Sequence, residues 1–398
     1  MGALRDRRFR RLLVGNSVSS FGNSALYLSL GIWAKDLTGS NAAAGGVFLA
    51  LGLPYLAAPL AGHLVDRARR RPLLIVTNGL AAGAVLGLLG VHSAAQLWLI
   101  YAVAFLYGAL SIVIAAAGTG LVKDLLNDAD LVGANAAYAT TSQGLRIASP
   151  LVGAAIYSQL GGDMLALFDV ATFAAAIVAL LSVRIEEHPS GPGERGRLRV
   201  ELLAGAAHLV RTPLLAQVTR SASLAMLVVG FYESVTFAVI ANIGRPPSFF
   251  GVLMSVQAGG SIAGGLAVGW ITRHFGEART LGIALLAWAL ASLIYLVPNL
   301  PADLVAIAIF GTAVPLYAVA VTTATQRYTP SHLQGRANVA SNTATSLAQT
   351  LSIAIGASLV DTIGYQPLLG FVALVTIIAA LPVILQPAAA PEPIDVSK

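Results

Sequence analysis

The sequence predicts an all-α polytopic membrane protein with twelve transmembrane helices in two pseudo-symmetric six-helix halves. Hydrophobic residues make up 57% of the chain and charged residues 11%, and the mean hydropathy is +0.78. A soluble domain carries about a quarter charged residues. Long apolar runs alternate with short polar or Gly/Pro-rich turns, and the second half of the chain repeats features of the first.

The position of each helix follows from an apolar run and the residues that end it. A helix needs roughly 20 apolar residues to cross the hydrocarbon core, and it satisfies its backbone polar groups internally. The predicted helices are 12–34, 42–65, 73–91, 96–122, 133–160, 164–184, 213–241, 248–272, 280–297, 303–327, 336–361 and 366–386.

The first six helices form a predicted N-terminal half, residues 1–184. The chain starts with the basic segment MGALRDRRFRR, but no small-residue cleavage site ends the apolar run that follows. We therefore expect a retained membrane helix rather than a cleaved signal peptide. The turns TGSN, GVHSAAQ and LGGD and the charged loop GHLVDRARRRP at 62–72 separate helices of this half.

A polar segment divides the two halves. Residues 185–212 open with IEEHPSGPGERGR and contain no membrane-length apolar run. Their end, LRVELLAGAAHLVRTP, is predicted to form an amphipathic helix at the membrane interface. The C-terminal half is then 213–386, with turns at GRPPS, VPNLP and IGYQP, and 387–398 forms a cytoplasmic tail.

The distribution of positive charge predicts the orientation. With both termini in the cytoplasm, all but four of the 24 Lys and Arg residues fall in cytoplasmic segments; the outer loops hold Lys35 and Arg245, and helices hold Arg146 and Arg220. This is the positive-inside pattern of a multi-pass protein of the cell (plasma or inner) membrane. It explains the net charge of +6 without a nucleic-acid partner.

The second half repeats the first. The loop GHLVDRARRRP aligns with GWITRHFGEAR at 269–279. At one constant spacing, four small or polar residues of the first half recur in the second: Gly108, Asn135, Gly153 and Gly161 correspond to Gly311, Asn338, Gly356 and Gly364. Duplicated six-helix halves are a common plan of transporters, whose substrate site lies between the repeats near mid-membrane.

The loop at 62–72 resembles the signature loop of the major facilitator superfamily, and the resemblance extends along essentially the whole chain. The pattern G-x-L-x-D-R-x-G-R-R/K is matched at six positions, with Arg69 in place of glycine: the matches are Gly62, Leu64, Asp66, Arg67, Arg70 and Arg71. The resemblance implies a cytoplasmic latch that includes these residues and Asp124, which ends the fourth helix.

The latch has a physical basis and a simpler alternative. A carboxylate at Asp66 can accept hydrogen bonds from backbone amides at a helix N-terminus and can pair with arginine. Such a contact favours one conformation and must break in another. The alternative is a solvated basic loop that only sets the orientation of the protein.

A second resemblance concerns the direction of transport. Residues 144–154, GLRIASPLVGA, are similar to the fifth-helix motif of the superfamily's exporters, with matches at Pro150 and Gly153. Together with the general character of helices 1, 6 and 7, this resembles the branch that exports drugs, antibiotics or siderophores. That branch often has aspartate where this chain has Asn23. An ordinary packing kink at the proline is the alternative.

Ionisable and polar residues inside predicted helices are the candidate functional groups, because such residues are costly in a bilayer. Glu233 is the predicted proton-coupling carboxylate, and Asp169 is a second candidate whose alternative is an interfacial position. The predicted cavity or substrate-binding residues are Arg146, Asn23, Tyr27, Arg220, Tyr317 and Asn342. For each polar residue the alternative is a hydrogen bond that only packs helices together.

These features predict a secondary active transporter that exports a small, partly hydrophobic compound in exchange for protons by alternating access. Import of a small metabolite on the same fold is the alternative. The chain has neither G-x-x-x-x-G-K-S/T nor H-E-x-x-H, and it lacks cysteine, so no enzyme, metal site or cofactor is predicted. The expected partners are the substrate, protons and the lipid bilayer, and the expected state is a monomer.

Overall fold

The computed structural model describes residues 3–57, 65, 68–126, 128–183, 198–330 and 333–385. Over these residues the chain forms twelve α-helices joined by short turns and 3₁₀ segments, and no strand. The helices are α1 (Arg7–Thr38), α2 (Asn41–Gly52), α3 (Arg70–Leu86), α4 (Leu97–Leu125), α5 (Asp128–Leu181), α6 (Leu198–Arg211), α7 (Pro213–Val229), α8 (Tyr232–Asn242), α9 (Phe250–Ile294), α10 (Leu300–Arg327), α11 (Gln334–Ile363) and α12 (Tyr365–Ile384).

Each of the twelve predicted spans has a helical counterpart among the described residues, so the all-α membrane fold is confirmed. Seven of the described helices are long and apolar enough to cross a membrane. Two of them, α5 and α9, each contain two predicted spans. The spans join at a single residue with non-helical backbone angles, Gly161 in α5 and Gly276 in α9.

Two of the turn glycines support the internal repeat. Gly161 (φ 84°) joins the fifth and sixth predicted spans, and Gly364 (φ 80°) joins the last two. A residue with a side chain rarely adopts this φ, because its Cβ would meet the neighbouring backbone. These two glycines correspond to each other in the sequence repeat, and both adopt a backbone conformation that favours glycine.

The predicted helix 213–241 is not continuous. It is broken between Val229 and Tyr232 into α7 and α8. The turn is closed by short-range hydrogen bonds, in which the backbone N–H of Ser234 donates to the carbonyl of Phe231 (3.1 Å) and that of Glu233 to Gly230 (3.3 Å). Glycine at 230 is a poor helix former and suits such a break.

The described residues cluster into two compact units that differ from the two halves predicted from the sequence. Unit 1 comprises Met1–Arg195, Gly230–Ala258 and Thr350–Leu368, and unit 2 comprises Gly196–Val229, Gly259–Gln349 and Leu369–Lys398. In unit 1, α8, the first part of α9 and the last part of α11 therefore group with the first six spans. The division at 185–212 into duplicated halves stays a prediction.

Close helix contacts in unit 1 depend on small residues. An added Cβ at Gly15 would collide with Ala179 of α5, and one at Gly22 would collide with Thr172. A Cβ at Gly153 would lie 2.6 Å from the carbonyl oxygen of Ala25 in α1. Helices α1 and α5 thus approach each other closely at small residues. This is common between membrane helices, because the hydrophobic effect does not drive their association within lipid and van der Waals packing contributes instead.

In unit 2, the rings of Trp288 and Tyr317 pack with centroids 5.2 Å apart, and the indole Nε1 donates to the Phe310 carbonyl (3.2 Å). The helix α6 was predicted to lie at the membrane interface. The backbone of its Gly205 packs against the carbonyl of Arg336 in α11, where a Cβ would collide, and the interfacial position stays a prediction. At least one face of α6 therefore packs against another helix of the protein.

Candidate functional site

A cavity of about 340 Å³ lies within unit 1. Its described walls are contributed by α1, α2 with the 3₁₀ segment that follows it, α4, α5 and α9. The lining residues are Asn23, Ser24, Tyr27, Leu28, Leu51, Tyr55, Tyr107, Gly108, Ser111, Ser149, Pro150, Met254, Gln257 and Ala258. None of these described lining residues is charged, and they combine aromatic rings, aliphatic carbon, hydroxyl groups and amides.

One face of α1 supplies a polar stripe. Asn16, Ser20, Asn23 and Tyr27 are spaced three or four residues apart, so they share one side of the helix. Asn23 and Tyr27 line the cavity. A second cavity of about 70 Å³ is lined by Asn16, Ser20 and, from α3, Asn78, and it shares Asn23 with the first. The stripe thus connects two polar spaces.

Two polar atoms on the cavity wall are available to a ligand. The Oδ1 atom of Asn23 and the Oη atom of Tyr107 are buried and have no hydrogen-bond partner among the described residues. A buried polar group without a partner is costly, and a bound molecule or water can satisfy it. On the same cavity wall, Tyr55 Oη and Ser111 Oγ lie 3.4 Å apart.

Asp169 lies in α5 and its residue is 0% exposed. Thr172 Oγ1 donates to its Oδ1 (3.2 Å), while Oδ2 has no partner among the described residues. This burial disfavours a side chain that snorkels to water, and the role of Asp169 in coupling stays a prediction. Asp169 packs beside Gly22 of α1 and is within electrostatic range of Tyr107, which places it behind the cavity wall.

Glu233 lies in the first turn of α8, directly after the break that follows α7. It is half-buried and within electrostatic range of Tyr27, which lines the cavity. The N-terminus of a helix carries a partial positive charge, and this stabilises a carboxylate in the first turn. The break therefore gives Glu233 an electrostatic environment that a continuous helix would not provide.

Three other predicted cavity residues are not among the described lining residues. Arg220 in α7 and Asn342 in α11 are exposed residues of unit 2, and Tyr317 packs on Trp288 in the same unit. The backbone of Arg146 lies in α5, but its side chain is outside the described part of the structure.

The exporter-like residues of α5 mediate helix contacts. Pro150 lines the cavity, and its carbonyl oxygen would lie 2.7 Å from a Cβ added to Gly251 of α9. Gly153 faces Ala25 of α1. The Ser149 hydroxyl donates to the Leu145 carbonyl (2.5 Å), the i−4 bond by which a serine inside a helix satisfies its own hydroxyl. The motif thus joins α5 closely to both neighbours.

Only part of the predicted latch can be described. Gly62, Asp66 and Arg67 lie outside the described residues. Arg70 in α3 pairs with Asp124 at the end of α4 and also donates to the Gly120 carbonyl (3.1 Å).

The neighbouring Arg71 reaches the end of a different helix. Its Nε donates to the carbonyl of Leu180 (2.8 Å), and its Nη2 donates to that of Leu181 (3.2 Å). Cations stabilise the C-terminal ends of helices, where carbonyl groups lack partners. The two arginines therefore join the start of α3 to the ends of α4 and α5.

Sequence reasoning missed several residues. Tyr55 and Ser111 line the cavity, and each follows another lining residue by four positions, Leu51 and Tyr107 respectively. A search of α4 for polar residues four positions apart would have paired Ser111 with Tyr107, whereas Tyr55 follows the apolar Leu51 and gives no such signal. Asp303 in α10 was also missed. It is 0% exposed, and neither carboxylate oxygen has a partner among the described residues.

Comparison with known proteins agrees with this architecture. The model of the Major Facilitator Superfamily matches residues 12–243 and 222–397. The chain is 24% identical over 372 residues to the uncharacterized MFS-type transporter YfiS of Bacillus subtilis (strain 168), covering 89% of this chain and 87% of that protein.

Solved structures show the same fold at low identity. The nucleoside transporter NupG superposes with a TM-score of 0.77 at 15% identity, covering 94% of this chain and 98% of that one. A bacterial homologue of the iron transporter ferroportin, in its inward-facing state, superposes with a TM-score of 0.76 at 15% identity, covering 95% of this chain and 98% of that one. A POT family transporter superposes with a TM-score of 0.71 at 12% identity, covering 93% of this chain and 94% of that one.

Proposed function

Because the chain belongs to the major facilitator superfamily and is therefore a membrane transporter rather than an enzyme, we propose that it exports a small, partly apolar compound in exchange for protons. The protein acts in the plasma or inner membrane as a monomer, with both termini in the cytoplasm. Transport follows alternating access, in which the cavity opens to one side of the bilayer at a time.

The observation that carries this proposal is the chemistry of the cavity wall. Tyrosine rings, aliphatic carbon, and hydroxyl and amide groups suit a molecule with an apolar body and a few hydrogen-bonding groups. An ionic substrate would leave its charge without a partner among the described lining residues, and an unpaired buried charge is strongly unfavourable. We therefore propose an uncharged cargo.

The size of the cavity narrows the class further. Ligand pockets span about 300–1,000 Å³, so a cavity of about 340 Å³ lies at the small end of that range. It suits a compact molecule of one or two rings. A large siderophore would need a wider space, so drug-like compounds and small antibiotics fit the cavity better.

Two carboxylates supply the proposed proton path. Glu233 lies near Tyr27 and Asp169 lies near Tyr107, so each acid stands behind a tyrosine that a substrate would touch. Ionisable groups inside membrane helices are costly and commonly serve proton relays, and each of these acids exchanges its proton when water enters the cavity. Substrate and proton would then compete through the tyrosines, and release of one would favour binding of the other.

The exporter-like motif supports the direction. Its Pro150 and Gly153 hold α5 against α1 and α9 beside the cavity. Import of a small polar metabolite is the second candidate, since Asn23, Gln257 and Ser24 give the wall a marked polar character. The solved transporters of nucleosides and peptides have the same fold, and this keeps the candidate open.

Two assays distinguish the directions. Cells that express the protein should retain less of an uncharged fluorescent dye than cells carrying an empty vector, and a protonophore should abolish the difference. The same cells should take up labelled nucleosides and amino acids at the vector rate. Faster uptake of a metabolite with unchanged dye retention would replace export by import.

The undescribed side chain of Arg146 needs its own control. If the cargo is uncharged, Arg146→Gln should export the neutral dye at the parent rate. The alternative is that transport depends on an anionic cargo held by Arg146. Loss of transport in this variant, together with a preference of the parent protein for anionic compounds, would show this.

A further inference from the structure

The carboxylate of Asp361, near the end of α11, accepts four hydrogen bonds from the start of α2. The Ser40 hydroxyl donates to Oδ2 (2.6 Å), and the Asn41 side-chain amide donates to Oδ1 (2.9 Å). The backbone N–H groups of Asn41 and Ala42 donate to Oδ1 (3.3 Å) and Oδ2 (3.1 Å). All of these residues belong to unit 1.

The physical chemistry of a helix N-terminus makes this contact favourable. The first N–H groups of α2 have no partner inside the helix, and its N-terminal end carries a partial positive charge. A carboxylate satisfies both needs, and hydrogen bonds to an ionised acceptor are stronger than neutral ones. Lys35 adds a positive charge within electrostatic range of Asp361. The four bonds converge on one side chain.

The contact continues along α2 towards the interior. A Cβ added at Gly45 would collide with Ser234 Oγ of α8 and lie 3.0 Å from the Cβ of Ala357 in α11. Further along, Phe48 packs on Phe237 of α8, with ring centroids 6.3 Å apart. Helix α2 is therefore in close contact with α8 and α11 over about two turns, and Asp361 closes the end of that contact.

A similar helix contact in unit 1 lacks the carboxylate. A Cβ added at Gly251 of α9 would lie 2.6 Å from the Cβ of Ala154 in α5. In the sequence repeat, Ala154 corresponds to Ala357 and Ser158 to Asp361. The hydroxyl of Ser158 donates to a carbonyl of its own helix, that of Ala155 (3.2 Å). Only one of the two related contacts carries a carboxylate clamp.

We propose that Asp361 is the positioning residue that holds the outer end of the transport pathway closed, and that outward opening requires its hydrogen bonds to α2 to break. The outer side is the one assigned by the orientation in the proposed function, on which this inference rests. The hydrogen bonds of Asp361 among the described residues reach no residue that lines the cavity, so it acts on the opening of the pathway rather than on the binding of the substrate.

Labelling of a single cysteine tests the clamp directly, because the chain has no cysteine of its own. A Ser24→Cys reporter lies on the cavity wall, and a membrane-impermeant maleimide added outside intact cells reaches it only through an open outer end. In this background Asp361→Asn keeps the shape of the side chain but removes its charge. The labelling rate should rise about tenfold, as expected for a shift of one decade in the closed-to-open equilibrium.

Two further variants sharpen the result. Asn41→Ala removes one donor and keeps the carboxylate, so it should raise the rate by a smaller factor. Ser158→Ala, at the corresponding position of the related contact, should label at the parent rate. An Asp361→Asn rate equal to that of the parent would overturn the clamp, as would an equal rise in Ser158→Ala.

The test stays decisive under two complications. If Asp361→Asn fails to reach the membrane, an unchanged rate in Asn41→Ala overturns the proposal. The readout uses no substrate and no proton gradient. Failure of the proposed export therefore leaves the clamp proposal intact. If the maleimide reached the cysteine only from the cytoplasmic side in every variant, the clamp proposal alone would be overturned.

Discussion

A single nitrogen of Arg70, Nη1, contacts both carboxylate oxygens of Asp124, at 2.7 and 2.6 Å. In the sequence repeat, Glu277 corresponds to Arg70 and Arg327 corresponds to Asp124. Glu277 and Arg327 also form an ion pair (3.0 Å). Each pair lies within its own unit and joins the start of one helix to the end of the next. The repeat has kept the contact and reversed its polarity.

Breaking the first pair should lower the stability of the protein. The side chains of Arg70 and Asp124 are only 16% and 14% exposed, so the loss of hydrogen bonds to a charged group should cost about 2 kcal/mol. Asp124→Asn should therefore unfold at lower temperature in detergent. The combined change Arg70→Asp with Asp124→Arg, which copies the polarity of the second half, should recover part of the loss.

The exposed residue Asp163 provides the control, and Asp163→Asn should unfold at the parent temperature. An Asp124→Asn protein as stable as the parent would show that the pair contributes nothing measurable.

Removal of the carboxylate at position 233 should uncouple transport from protons. Glu233→Gln keeps the size of the side chain but cannot release a proton. In proteoliposomes with an imposed pH gradient, gradient-driven transport should fall by at least about tenfold, equivalent to 1.4 kcal/mol. Substrate exchange without a gradient should continue. If the variant retains gradient-driven transport, Asp169 and then Asp303 become the candidates.

Asp169→Asn should separate the roles of the two candidate coupling acids. If Asp169 only packs α5 against α1, the amide should be accepted with a small loss of stability, since Thr172 can still donate to its oxygen. If it carries a proton, the pH profile of transport should change while binding of the dye persists. A shifted profile with parent-like thermal stability would assign Asp169 to coupling.

The hydroxyl of Tyr107 should contribute one hydrogen bond to the substrate. Tyr107→Phe removes the Oη atom that has no partner among the described residues. A bond between uncharged groups contributes about 1 kcal/mol, so the Kd should rise about fivefold. Tyr101→Phe is the matched control, because Tyr101 bonds the Ala43 carbonyl (3.1 Å) and does not line the cavity. Equal affinities in both variants would remove Tyr107 from the site.

Alanine at the turn glycines should be unfavourable without any steric clash. A Cβ at Gly161 or Gly364 would meet nothing within 4 Å, so the whole cost, about 1–3 kcal/mol, should come from the backbone conformation. Gly83→Ala in α3 also meets nothing within 4 Å, but its helical backbone should make it stabilising by up to about 1 kcal/mol. Thermal unfolding that ranks the variants otherwise would contradict this account.

The fold was predictable because its determinants are local. The length of an apolar run, the turn that ends it and the charges beside it identify each span without knowledge of its neighbours. The break before Glu233 was not predictable in this way, since Val229, Gly230 and Phe231 continue an apolar run and helix propensity alone rarely decides an element's boundary.

The site was only partly predictable because it depends on which helix faces meet. Asn23 and Tyr27 were identified as isolated polar residues in a membrane helix, and both line the cavity. Tyr317 has the same character but packs on Trp288. Asp361 was not singled out from the sequence, since its partners lie more than 300 residues away along the chain. No local pattern carries that information.

The uncharged cavity wall has an electrical consequence. The described lining residues carry no charge. If, as proposed, an uncharged cargo leaves in exchange for one proton, every cycle moves one net charge across the membrane. Each elementary charge gains about 2.3 kcal/mol per 100 mV of membrane voltage. Export would thus be electrogenic. It would continue in alkaline surroundings, where no useful pH difference remains, for as long as the cell interior stays negative.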